Sequence, residues 1–154
     1  GSPDMNTKIS LENFLLTDTM SDLEVGTLLD FERKGHTVTR SLFDASEMEA
    51  LNPYIRDVFS RREYDGWFHS ARVMLGDEAV YDDFGEVMLE TSEECRDALE
   101  DNGVMLPFLQ VFNSWRVDPV IRAVSCCPRL ASTAASLLGV SRVRLYQDSM
   151  FMKR

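Results

Sequence analysis

Two histidines, three cysteines and one dense run of carboxylates are the side chains of this chain with the chemistry to hold a metal ion or attack a substrate. A metal site needs several such side chains aimed at one point. His36 falls at the start of a predicted strand and His69 in an aromatic stretch. Both read as surface or packing histidines that share no metal. Cys95, Cys126 and Cys127 make no Cys-x-x-Cys pair and no zinc spacing. An odd count with two adjacent residues is a poor disulfide framework, so they read as reduced thiols of an intracellular protein, with Cys126 and Cys127 packing at a helix end.

Residues 77–101 hold eleven acids against the single base Arg96, which accounts for the whole net charge of −10. Such a segment repels nucleic acid and anionic lipid. Its spacing contains no Asp-x-Asp-x-Asp-Gly calcium loop. Its plain reading is a solvated helix face or mobile insert; the sharper one is a docking surface for a basic partner, or a lid over a site.

The elements that must position these groups follow from caps, periodicity and punctuation. Ser21-Asp-Leu-Glu24 has the form of a capping box, opening a helix with Val25, Leu28 and Leu29 on one side, and Lys34-Gly35 closes it. Residues 36–43 alternate and are rich in β-branched side chains, which predicts a strand. Ser46-Glu-Met-Glu49 forms a second box, for a helix to about Arg62 that Pro53 should kink or restart. Residues 64–76 are expected as loop and short strand, and residues 92–99 as helix before Asn102-Gly103. Residues 104–112 are ambiguous between strand and helix, with Pro107 arguing for a break. Asp118 N-caps a helix with Pro119 at its first position, and Pro128 opens the next. That last helix should bury Leu130, Ala131, Ala134, Ala135, Leu137 and Leu138 and stop at Gly139. Residues 143–152 form a closing strand, with Gln147, Ser149, Phe151 and Lys153 on one face and Tyr146, Asp148, Met150 and Met152 on the other. One strand near residue 38 and one at the end would leave a sheet with open edges.

At 154 residues, 44% hydrophobic and 27% charged, the chain is the size and composition of one ordinary domain, and its helices with two predicted strands put it in the α+β class. No apolar run approaches the roughly 20 residues that span a bilayer, so no membrane partner is expected. Residues 1–5, Gly1-Ser2-Pro3-Asp4-Met5, read as a cloning remnant. Residues 6–154 are then a single domain portion with an acidic insert at 77–101, and cytoplasm is the expected location.

Two blocks carry a family resemblance. The first is Leu28-Leu-Asp-Phe-Glu-Arg-Lys-Gly-His-Thr-Val-Thr-Arg-Ser-Leu-Phe-Asp44. The second is Asn113-Ser-Trp-Arg-Val-Asp-Pro-Val-Ile-Arg122, followed by Pro128-Arg-Leu-Ala131, Leu137-Leu-Gly139 and Val143-Arg-Leu-Tyr-Gln-Asp-Ser-Met-Phe-Met-Lys153. In that order they are similar to the N-terminal half of the phytanoyl-CoA dioxygenase family, the non-haem Fe(II)/2-oxoglutarate oxygenases. The second block follows the pattern W-x-x-D-P, P-x-(L/I)-x-x-x-A-x-x-L-L-G and V-R-L-Y-x-D-x-x-x-x-K.

The resemblance implies the helical part and first strands of a double-stranded β-helix (jelly-roll or cupin-like) fold, incomplete in this chain. It implies Fe(II) and 2-oxoglutarate as cofactors, a small organic substrate, and hydroxylation by the complete protein. Gln147 and Ser149 match positions that help hold 2-oxoglutarate, although some relatives carry Met at the second and a Lys near the position of Val111. The family's His-x-Asp, distal His and 2-oxoglutarate-binding Arg have no counterpart here, so catalytic and iron-binding residues are none in this chain. The missing C-terminal half is expected as further chain or as a second polypeptide. The alternative is a non-catalytic relative that binds or scaffolds through its acidic segment.

Overall fold

Caps and left-handed glycines set most element boundaries. The computed structural model describes residues 23–40 and 42–153. In chain order the described elements are α1 (Val25–Lys34), α2 (Ala45–Arg61), α3 (Glu63–Leu75), α4 (Ser92–Asp101), β1 (Phe108–Phe112), α5 (Pro119–Ser125), α6 (Pro128–Leu138) and β2 (Ser149–Lys153). The architecture is mixed α+β, helices with one two-stranded antiparallel sheet. The chain divides into two compact units, one from Gly1–Ile55 and Ser114–Asp148, the other from Arg56–Asn113 and Ser149–Arg154.

In the first unit, α1 ends as its sequence predicts. Gly35 takes φ 73°, its N–H donates to Phe31 O at 2.8 Å, and Lys34 pairs with Asp30 one turn back at 2.9 Å. Its start differs. Glu24 is the N-cap and makes no side-chain cap bond, while the predicted cap Ser21 lies outside the described residues. The box on α2 also shifts, from Ser46/Glu49 to Asp44/Glu47. The Glu47 N–H donates to Asp44 Oδ1 at 2.8 Å, and the Asp44 N–H donates to Glu47 Oε2 at 2.6 Å.

Arg129 explains that choice. Its two terminal nitrogens donate to Glu47 Oε2 at 2.8 Å and Oε1 at 3.0 Å, one of them also to Leu42 O, and it lies over the Phe43 ring. A buried carboxylate is stable only with such a partner. The α2 helix runs through Pro53 without a break.

Asp118 caps α5 as predicted, accepting from the N–H groups of Val120 at 2.9 Å and Ile121 at 3.0 Å, with Pro119 behind it. The Tyr54 hydroxyl donates to the same carboxylate at 2.8 Å. The Cys127 sulfur accepts from the Leu130 N–H and caps α6, and Gly139 closes that helix at φ 64°. The buried positions of α6 are Ser132 and Thr133, whereas Leu138 is exposed. Leu130, Ala131, Ala134, Ala135 and Leu137 of the predicted apolar side are half-buried, and the two buried hydroxyls both donate to the Arg129 carbonyl, which satisfies them within the helix. The described residues of 36–43 form no strand; β-branched side chains favour pleated backbone only where another strand accepts the ladder.

The second unit is built on Trp67, Ala71, Val80, Cys95, Leu99, Leu109 and Val111, which form one buried cluster with Phe59. Each large apolar side chain so buried contributes about 1.5–3 kcal/mol. Of residues 64–76, expected as loop and short strand, 64–75 are helical in α3 and Gly76 caps it. Gly66 hid that helix. An added Cβ there would lie 2.9 Å from the Gln110 carbonyl oxygen and 3.1 Å from Val111, so glycine marks the point where α3 meets β1. The acidic segment is acidic outside and apolar inside, for Val80, Cys95 and Leu99 are among the deepest core residues. Its helix α4 opens on a reciprocal box between Thr91 and Glu94.

Candidate functional site

The closing strand finds its partner upstream. β2 pairs antiparallel with β1, in the register Phe108 with Lys153, Leu109 with Met152, Gln110 with Phe151, Val111 with Met150 and Phe112 with Ser149. Directly paired residues share a face. Leu109, Val111, Met150 and Met152 turn inward to the core, so the other face carries Phe108, Gln110, Phe112, Ser149, Phe151 and Lys153. The strand is shorter than residues 143–152, because the described backbone before Ser149 makes no ladder.

The outward face mixes aromatic surface with a few polar tips. Phe108 is 44% and Phe151 59% exposed, and their rings meet edge to face at 5.3 Å. The His69 ring packs edge-on to Phe112 at 4.9 Å, and Arg62 donates to the Phe112 carbonyl at 2.9 Å. Gln110, Ser149 and Lys153 supply an amide, a hydroxyl and an ammonium. They are spread along the ladder from Ser149 to Lys153, so each can donate to a ligand lying along the strands, but they include no nucleophile paired with a base. The face is equipped for binding.

The two residues singled out for 2-oxoglutarate are both exposed, and only Ser149 belongs to the strand. Gln147 precedes it, outside the ladder, so strand parity does not relate the two. Next to Gln147, Asp148 turns inward, accepting from the Trp115 N–H at 3.0 Å through Oδ1, while its Oδ2 is buried without a hydrogen-bond partner. Sequence reasoning missed Phe108, Gln110 and Phe112. The alternation Phe-Leu-Gln-Val-Phe after Pro107 was the available signal.

His36 is exposed in the first unit, its Nδ1 3.2 Å from the Lys34 carbonyl oxygen. His69 belongs to the second unit. No group of three or more His, Cys, Asp or Glu side chains suited to a metal occurs among the described residues. None of the three cysteines is in a disulfide; Cys95 and Cys127 are buried, Cys126 is exposed, and burial pushes the Cys95 thiol up from its ordinary value. No described helix is long and apolar enough to cross a membrane. Compared with known proteins, the chain matches no family model, no curated protein and no solved structure.

Proposed function

We propose that this chain is the N-terminal part of an Fe(II)/2-oxoglutarate-dependent dioxygenase of the phytanoyl-CoA dioxygenase kind, with β1 and β2 opening its double-stranded β-helix. The observation that carries the proposal is the V-R-L-Y-x-D-x-x-x-x-K run, which leads into a strand whose alternate residues fill a core and present Ser149 and Lys153 outward. The residues present do not fit iron, because among the described residues no three His, Cys, Asp or Glu side chains form a group that could hold a metal. The iron ligands of this proposal therefore belong to sequence encoded after Lys153, whether still joined to this chain or cleaved from it and bound as a second polypeptide. For 2-oxoglutarate, the Gln147 amide and the Ser149 hydroxyl supply donors of the right chemistry for a carboxylate.

The test is the reading frame beyond Lys153, followed by the complete protein assayed for succinate formation from 2-oxoglutarate. A His-x-Asp pair within a few tens of residues is the expected result. Its absence sinks the catalytic claim.

One observation favours the second reading, a binding module that uses the acidic segment. Phe84 is 91% exposed at the tip of a turn held by Asp82, whose Oδ1 accepts from the N–H groups of Phe84 at 2.9 Å and Glu86 at 2.8 Å. On this reading the chain alone melts cooperatively and Phe84→Ala abolishes partner binding. On the oxygenase reading Phe84→Ala leaves 2-oxoglutarate turnover by the complete protein unchanged.

A further inference from the structure

Within the second unit, α4 and the residues leading into β1 enclose a cleft of about 480 Å³. The size is that of a small-molecule pocket, about 300–1,000 Å³. Trp67 and Leu99 are its buried apolar surfaces, Val104 and Leu106 are partly buried beside them, and Met105, 87% exposed, stands at the mouth. Methionine is the side chain best able to adjust there to an incoming shape.

The cleft's two charged lining residues are Arg96 and Glu100, four apart on α4. The Arg96 guanidinium lies 3.7 Å from Asp97, 3.9 Å from Glu93 and 4.0 Å from Glu100, loose contacts beyond hydrogen-bond distance. One positive charge is thus shared among three negative ones, and the rim stays anionic. The surrounding residues 77–101 deepen the same field. A cleft with low-dielectric walls and one excess sign concentrates ligands of the opposite sign. Glu93 and Asp97 can occupy Arg96 while Glu100 faces the opening.

We propose that this cleft binds an organic ammonium ion with an apolar body, the body against Trp67 and Leu99 and the ammonium at Glu100. The assignment goes beyond the oxygenase proposal and does not depend on it.

The chain holds two tryptophans, so Trp115→Phe leaves Trp67 as the sole reporter. Phenethylammonium, phenylacetate and 2-phenylethanol offer one ring with a positive, a negative and no charge. Titration should give a saturable change in Trp67 emission with phenethylammonium alone, weaker at high salt, and calorimetric titration of the unsubstituted chain should return the same affinity. Glu100→Gln should weaken binding about two- to five-fold and Arg96→Gln should tighten it by a similar factor, the range for partly exposed charges. Both side chains are exposed enough for the variants to fold, which melting curves check. No saturable response, an equal response to the alcohol, a preference for phenylacetate, tighter binding by Glu100→Gln, or weaker binding by Arg96→Gln would each overturn the proposal.

Discussion

At Asp118 one carboxylate performs two tasks, capping α5 through two backbone N–H groups and accepting the buried Tyr54 hydroxyl. Removing it loses a cap and the carboxylate that accepts the Tyr54 hydroxyl, so Asp118→Ala should cost about 2–4 kcal/mol in denaturant unfolding. Tyr54→Phe should cost less, and the double variant should fall short of the sum, because the two groups share one interaction. Additive effects would mean that the hydroxyl is satisfied elsewhere. Glu47 has a different signature, in pH. Its hydrogen bonds from Arg129 hold its carboxyl below the usual range, and those from the Glu47 N–H and the Ser46 hydroxyl lower Asp44 in the same cap. A carboxyl lowered in the folded state binds protons more weakly than in the unfolded chain. Its stabilisation is therefore complete above the ordinary carboxylate range and is lost as pH falls through the lowered folded values. Glu47→Gln should be less stable than the parent at neutral pH and should flatten the acid side of its stability profile, read from urea midpoints across that range. An unchanged acid slope would exclude Glu47 as a contributor.

Elements were legible where a single residue has one backbone use. Gly35 and Gly139 stop helices in left-handed conformation, and Pro119 and Pro128 open them behind Asp118 and Cys127. They were illegible where a distant contact decides. Nothing local in Ser46-Glu-Met-Glu49 shows that Arg129 will seize Glu47 and move the box to Asp44. Nothing local shows that Gly66 is small because β1 touches it. The outward row of the sheet was half legible for the same reason: Ser149 and Lys153 follow from alternation, whereas Phe108, Gln110 and Phe112 join them only through pairing. The glycine contrast is measurable. Gly26 in α1 has nothing within 4 Å of an added Cβ, so Gly26→Ala should stabilise by about 0.5–1 kcal/mol. Gly66→Ala makes the same chemical change against a backbone oxygen and should destabilise by about 1–3 kcal/mol. Thermal melts of the two variants should move in opposite directions. A stabilised Gly66→Ala would mean that α3 can recede from β1 at little cost.

For the molecule as a whole, charge is the property most plainly written in composition. The residues from Asp77 to Asp101 repel one another across a surface whose ion pairs, Arg72 with Asp77 and Arg96 with its neighbours, are exposed and individually weak. Screening falls to about 10 Å at 0.1 M salt, so added salt relieves the repulsion more than it weakens those pairs. Calorimetric melting of the chain should rise between low and moderate sodium chloride. A fall would show that the exposed pairs outweigh the repulsion.

The pairing of β1 with β2 also sets an order of events during synthesis. Between the two strands the chain must build all of α5 and α6, so a ribosome delivers β1 long before the strand that completes its ladder. Closing so long a loop is slower than forming any of the helices, and the sheet is therefore among the last parts of the second unit to form. Through that interval Phe108, Leu109, Val111 and Phe112 are a nascent apolar strand with unsatisfied backbone groups, open to a neighbouring polysome's product or to a chaperone. Slower translation lengthens that interval, and more of the newly made chain is then lost to aggregation.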